Sequence, residues 1–502
     1  MPKKLTVAAL AVSLVALTGC AATTPEAGGS DSITIALSAD PSGLDPQLVQ
    51  DGNALAVYGN ISETLVFRDA EGELVEGLAT AWESVDDTTW SFTLRPDVTF
   101  SNGEAFDAAA VQYSIERIID PDFATEQSGW LGSISGATVV DDLTVEITTS
   151  SPDPRVPSRM SLITMVPPVA AEEDGFGDAP VGTGPYVLDS WTRGGDAVLS
   201  ANPDYWGGAP EIDSVTFRPV TDATVRLASL SSGELDLVYG LLPEQFDQAP
   251  RVVTSRGLEF PTIILDTRNG PFANPLVRQA ANYAVDKQAI LDGLYGGYGS
   301  IAQCQMIGEG VFGFNPDLEA YDYDPELATE LLAEAGETAP KVTFIGDATN
   351  RWLKDAEFVQ SIASYLTEVG FEVDVQLLDF GAFLDELLAP ENNASVERDD
   401  LYFIGHGNDS GDADVTYTAF YATTGIDSST SSTEVDDLIT SARSELDTEA
   451  REAAYQEIAQ IGCDEAYFIF GLNLDNTYGL SERLDFTARV DGQLLVKTMS
   501  IE

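Results

Sequence analysis

Basic residues are scarce in this chain: 24 Lys and Arg stand against 83 Asp and Glu, a formal charge of −59. Nucleic acid needs neutralising cations along its backbone, and anionic lipid favours polybasic segments. The composition therefore argues against both nucleic acid and anionic lipid as partners. The acids are spread along the chain, which reads as a solvated surface, tuned to salt, or as a field that draws in cationic ligands. Histidine occurs once, as His406. A Ser–His–Asp arrangement would have to use it, and no Gly-x-Ser-x-Gly, His-Glu-x-x-His or Cys-x-x-Cys pattern accompanies it. Catalysis is not expected. One imidazole without a cysteine beside it also makes a poor transition-metal site, and no cofactor is expected. Long apolar runs are missing too, since nothing beyond the first twenty residues approaches the ~20 apolar residues of a membrane helix. At 44% apolar the chain nevertheless has ample material for a core. Its 502 residues exceed what one core supports, about 250–300, so two lobes or more are expected.

What stands first in the sequence is an export signal. Lys3 and Lys4 precede an apolar stretch over 5–17, too short to span a bilayer and of the length of a signal-peptide core. It ends in Leu17-Thr18-Gly19-Cys20, which resembles the bacterial lipobox. The resemblance implies that 1–19 are removed and that Cys20 is acylated. Residues 20–32 carry the lipidated Cys and a tether rich in Ala, Thr, Gly and Ser, without apolar periodicity. The mature protein is thus expected outside the cytoplasm, anchored to the membrane by lipid. Of three cysteines, Cys304 and Cys463 remain, an even pair in a compartment where disulfides persist. A bond between them is expected, contributing at most roughly 5 kcal/mol in the chain-entropy picture.

Local signals organise the rest. Alternation predicts strands at 33–37, 90–94 and 145–147. A helix is predicted over 108–119, capped by Asp107, with Val111, Ile115 and Ile118 on one face. Asn274-Pro275 and Asp324-Pro325 each start a helix, with Pro in the first turn where its missing N–H does no harm. Another helix is read over 447–460. From residue 340 a βαβ unit is expected: strand 342–345, helix through Phe358, Ile362, Leu366 and Val369 to Gly370, then strand 371–377. A third strand, 401–404, leads into a Gly-rich loop over 405–414. Ligands of open α/β sheets bind beyond the carboxyl ends of strands. Two loops qualify: 347–354, with Arg351 and Trp352, and 405–414, with His406, Asp409, Asp412 and Asp414.

These segments carry a resemblance. "TWSFTLRPDVTFSNGEAFDAAAV" ending at Val111, "GTGPY" at 182–186, "NPDYWGGAPEID" at 202–213, "SGELD" at 232–236, "PLVRQAANYAVDKQAI" at 275–290 and "YDPELATELLAEAG" at 323–336 are similar, in order, to signatures of the ABC-importer solute-binding family that includes dipeptide-, oligopeptide- and nickel-binding proteins. The likeness spans roughly residues 33–490. It implies a two-lobed α/β fold of the periplasmic-binding-protein type II kind, with an additional β-rich subdomain and a ligand cleft between lobes. The expected bodies are 33–60 with 181–265 and 480–502 as the first lobe, 61–180 as the subdomain and 266–479 as the second lobe. Gly182 and Gly184 read as a turn needing unusual backbone angles, and Trp206 as an aromatic packed on a turn.

The resemblance also implies a site. Members that bind peptides carry, in the loop matching "GHGNDSGDADVTY", an Asp that pairs with the ligand's free α-amine, and Asp409 falls there. An anion suits an ammonium taken out of water, because an unpaired buried charge is costly. Ala413 stands where members usually have Pro. Arg351 is the expected partner of the ligand's carboxylate, since a guanidinium forks onto both oxygens. Trp352 and Tyr417 are expected as apolar walls, and His406 lies in the same loop. The expected function is capture of di- or oligopeptides and delivery to the transmembrane permease of an ABC importer. Other cargo (a nickel chelate, opine, sugar or other amine) and a peptide-sensing receptor stay open.

Overall fold

The computed structural model describes residues 31–502 except 50, 124, 126, 350 and 389–399. Cys20, the export signal and the tether up to residue 30 lie outside the described residues. Among those described, no helix is long and apolar enough to cross a membrane.

Three sheets frame the molecule. The first has eight strands, in the order Arg251–Arg256, Leu472–Leu480, Leu237–Tyr239, Ser32–Leu37, Ser214–Pro219, Ala197–Ala201 and Tyr186–Ser190, with Gly299–Ile301 also paired to Leu472–Leu480. Ser32–Leu37 runs parallel to both of its neighbours. Ile33, Ile35 and Leu37 alternate onto a core shared with Val215, Phe217 and Tyr478. A period of two on one face is what a half-covered strand requires.

The second sheet orders Glu372–Leu378, Lys341–Asp347, Leu401–Gly407, Glu259–Leu265 and Phe468–Ile469. Lys341–Asp347 is parallel to both flanking strands, and the helix Asp355–Glu368 crosses between the first pair. This is the βαβ unit read from periodicity. The last strand runs further than expected. Gly405 and His406, assigned to a loop in the sequence, pair with Pro261 and Phe260 of the antiparallel neighbour. That partner, remote in sequence, satisfies backbone groups that local composition leaves open.

The third sheet is an antiparallel set of Ala79–Asp86, Thr89–Leu94, Thr144–Thr149 and Ile134–Asp141. The helix Ala108–Ile119 packs on it through Val111, Ile115 and Ile118. Asp107 caps that helix by accepting from Ala109 and Ala110 N–H. Asn274, Asp324 and Asp447 cap theirs in the same way. Cys304 is bonded to Cys463, 159 positions later, with Cα atoms 5.3 Å apart.

Two chain crossings join the first and second sheets. Arg251–Arg256 gives way to Glu259–Leu265, and Phe468–Ile469 to Leu472–Leu480. Glycines sit at both: Gly257 donates to Leu474 O at 3.0 Å, and a Cβ on Gly471 would collide with the Pro261 carbonyl. On the return crossing Leu472 and Leu474 still pack in the core around the second sheet, paired with Gly299–Ile301, before Asp475–Leu480 pair with Arg251–Arg256.

Candidate functional site

A cavity of about 430 Å³ opens where strand ends of both large sheets meet segments of 61–180. Leu37 and Tyr239 close two parallel strands of the first sheet, and Asp409 lies two residues beyond Leu401–Gly407 in the second. The helix Gly52–Tyr58, Arg68, Trp130 and the C-terminal stretch 489–497 complete the wall. Placement beyond carboxyl strand ends is where open α/β sheets put ligands.

Asp409 contributes a carboxylate to this wall. Its surface is open to the cavity, yet protein surrounds it on most sides. Burial and then Asp491 push its pKa up, with Arg68 opposing. Among the described residues it makes no hydrogen bond or ion pair. The backbone on either side is held tightly. Asn408 Nδ2 donates to Asp412 O at 2.9 Å and to Thr416 Oγ1 at 3.0 Å. Ser410 O accepts from Ser158 Oγ at 2.8 Å and from Arg68 Nη2. Asp412 accepts twice from Arg451 at 2.7 Å and caps the helix Ala413–Phe420 through Asp414 N–H. Asp414 pairs with Arg155 and, at 3.3 Å, with Arg443. Arg155 and Arg159 also hold Asp153, at 2.7 and 3.1 Å. Burial raises the Asp153 pKa, but these two arginines outweigh it and bring it to about 2. Asp412 and Asp414, counted among the loop's candidate carboxylates, are therefore spent on arginines.

The other expected residues do not line this cavity. The side chain of His406 turns onto the helix Ala413–Phe420: Nε2 lies 2.7 Å from Thr416 Oγ1 and the ring 4.6 Å from Phe420. Burial lowers its pKa to about 4, so it is neutral at ordinary pH. Tyr417 is wholly buried against Tyr421 and Tyr455, because the helix begun at Asp412 turns Ala413, Tyr417 and Phe420 to one inner face. Trp352 sits edge-on to Phe380, Phe383 and Phe403. Arg351 is exposed, lies 5.0 Å from the Phe380 ring, and faces the charge of Glu259. Among the described residues no cluster of three His, Cys, Asp or Glu is arranged for a metal.

The model of the bacterial extracellular solute-binding proteins, family 5 (middle region), matches residues 73–428. The chain belongs to this family. The glutathione-binding protein GsiB of Pectobacterium atrosepticum is 30% identical over 403 residues, covering 78% of this chain and 77% of that protein. Among solved structures, the periplasmic binding protein DppA from Helicobacter pylori, in complex with peptide STSA, aligns with a TM-score of 0.73 at 26% identity, covering 94% of this chain and 98% of that one. NikA from Brucella suis, in complex with Fe(III)-EDTA, gives 0.82 at 23%, covering 94% and 100%; that likeness bears on the fold alone. The protein is a solute-binding protein of an ABC importer, with the two-lobed type II fold.

Family motifs meet at a residue the sequence reading passed over. Glu63 accepts from Thr183 of "GTGPY" at 3.0 Å and from Tyr205 and Trp206 of "DYW" at 2.7 Å each. Gly182 and Gly184 do not lie in the left-handed region, contrary to expectation; a Cβ on either would run into the Ile61 carbonyl. Close approach, and not an unusual backbone angle, fixes them as glycine. Arg68, Tyr239, Arg489, Asp491 and Lys497 line the cavity as well. One signal for the basic three was available: in a chain with 24 cations, each is a rare feature.

Proposed function

We propose that this solute-binding protein captures short peptides by their free N-terminus and delivers them to an ABC permease, held outside the cytoplasm by a lipid on Cys20. The observation that carries the reading is Asp409, a cavity carboxylate without a hydrogen bond or ion pair among the described residues, whose loop neighbours Asp412 and Asp414 are both paired with arginines. A ligand ammonium supplies the missing cation and makes a charge-assisted hydrogen bond, stronger than a neutral one. The cavity's size, about 430 Å³, lies at the small end of ligand pockets, ~300–1,000 Å³, and favours di- and tripeptides. The relative named for glutathione and the one solved with a peptide support the same class.

Closure is proposed as hinge motion at the crossings near 257–258 and 474–475. The first lobe (33–60, 181–256, 475–502) with its subdomain (61–180) moves against the second (about 259–474), and the Arg155–Asp414 and Arg68–Ser410 contacts between them form on closure. Ligand favours the closed state because only there do both sides touch it. The expected carboxylate role of Arg351 requires its loop to move toward the cavity on closure.

Calorimetry on the purified protein tests the reading, using di- and tripeptides, their N-acetyl forms, nickel chelates, opines and sugars. Free-amine peptides are expected to bind, acetylation to abolish binding, and Asp409→Ala to weaken it at least tenfold. Unchanged affinity in Asp409→Ala removes that residue from the site. A hit confined to a non-peptide replaces the cargo and leaves the importer role.

A further inference from the structure

We infer that Lys497 reads an anionic group on the ligand, so that the cargo is an acidic peptide or a similar zwitterion bearing a carboxylate beside its amine. This deepens the proposed capture of peptides and rests on Asp409 as the amine site.

The charge balance of the cavity points this way. Its charged lining is Arg68, Arg489 and Lys497 against Glu63, Asp409 and Asp491. The whole chain has 24 basic residues to 83 acidic, so an even balance marks a place where cations are concentrated. Among the described residues the three are engaged to different degrees, Lys497 least. Arg489 is neutralised by Asp491 through two contacts, Nε to Oδ1 at 2.9 Å and Nη2 to Oδ2 at 2.5 Å. The terminal nitrogens of Arg68 donate to Gly72 O, Ser158 Oγ and Ser410 O, a clamp between segment 61–180 and the loop of Asp409, and its Nε is buried without a partner among the described residues.

Lys497 differs from both. Its Nζ donates to Tyr205 OH at 3.1 Å. It forms an ion pair with Glu63 at 3.6 Å, longer than a good hydrogen bond. Both Glu63 oxygens already accept from Thr183, Tyr205 and Trp206. An ammonium has three donors, and one of the three has an acceptor among the described residues. The ammonium is held in place over two rings, with Nζ 4.9 Å from the Phe67 centroid and 5.6 Å from that of Tyr205. The backbone beneath is pinned by Asn60, which accepts from Val496 N–H at 2.8 Å and donates to Leu494 O at 2.9 Å. A preorganised, under-satisfied cation binds an anion at small entropic cost. Asp409 comes from the second sheet's loop and Lys497 from the C-terminal stretch, so amine and anion are met on separate walls.

Matched ligands test this by calorimetry at low and high salt: Ala-Glu against Ala-Gln, each also as its C-terminal amide, and an acidic opine. The unaltered protein is expected to prefer ligands with the added carboxylate at least tenfold, less at high salt. Lys497→Met should erase the preference while leaving the Gln amide within about twofold, and Lys497→Arg should restore most of it. No preference in the unaltered protein overturns the inference, as does an equal loss for all ligands in Lys497→Met with no rescue by Arg. Silence of every peptide beside Lys497-dependent binding of the opine would remove the peptide reading and keep this one. Silence of all ligands removes both.

Discussion

The loops after Lys341–Asp347 and Leu401–Gly407 begin from adjacent parallel strands of one sheet, and both lead into helices. Their residues are used in opposite ways. In 408–414, every charged or polar side chain except that of Asp409 is engaged by a neighbour among the described residues; Arg451 and Arg155 reach in to Asp412 and Asp414, and Arg68 to the Ser410 carbonyl. In 351–355, Asp355 accepts from Trp352 and Ala356 N–H, Trp352 packs into an aromatic cluster, and Lys354 pairs with Glu244 at 3.0 Å. Arg351 answers Glu259 and lies near a ring. One loop is braced so that a single carboxylate stands unpaired among the described residues, while the described side chains of the other are engaged throughout by its surroundings. What marks the candidate ligand group is the lack of a partner where the surrounding residues have theirs, and residue type alone does not reveal that.

The largest expected effect comes from undoing the bracing. Arg155→Ala removes the guanidinium shared by Asp153 and Asp414, whose side chains are 0% and 4% exposed. Removing one partner of a buried pair typically costs about 3–5 kcal/mol. Urea denaturation should show that loss. Arg351→Ala, on an exposed residue of the other loop, should stay within about 0.5 kcal/mol. Equal effects would mean that the loops are braced alike.

The sequence was most legible where a signal and its structure sit within one turn. Asp107, Asn274 and Asp324 were read as caps from their immediate neighbours, and Gly336 as a stop. Each is so because the groups it satisfies lie two to four residues away. Tyr417 was legible in principle, since Asp412 caps a helix on which Ala413, Tyr417 and Phe420 share a face, but the run was read as a loop. Glu63 was not legible. Its partners lie 120, 142 and 143 positions away, and only the folded chain brings two motifs to one carboxylate. The same holds for Lys497, 292 positions from Tyr205. Asp409 was reached through family likeness; its unpaired state is visible only in three dimensions.

A second test sharpens the electrostatics around 351–355. Burial raises the Glu259 pKa to about 7 from an ordinary 4.5, with Arg351 opposing. A carboxylate with a raised folded-state pKa holds more protons in the folded than in the unfolded protein between those values. Stability therefore falls as pH rises from 4.5 toward 7. Glu259→Gln should be more stable than the parent at pH 8 by at most about 3 kcal/mol, less with solvent screening, and the advantage should vanish below about pH 4.5. A gain independent of pH would locate the effect in packing.

The smallest expected effect is steric, and it probes how the two loops touch. A Cβ on Gly405 would land within the Trp352 ring, so the strand carrying Asp409 and the aromatic anchor of the other loop fit only through a glycine. Gly405→Ala forces the indole out of its place among Phe380, Phe383 and Phe403. Overpacking of this kind costs roughly 1–3 kcal/mol, partly recovered here by relaxation of a half-buried ring. Quenching or a shift of tryptophan fluorescence should accompany the loss. Because Asp409 is anchored by Asn408, Ser410 and Asp412 rather than by Trp352, ligand affinity should change less than threefold. A tenfold loss in Gly405→Ala would show that the loop over 351–355 also supports the binding wall, and the contrast between the two would give way to a single coupled unit.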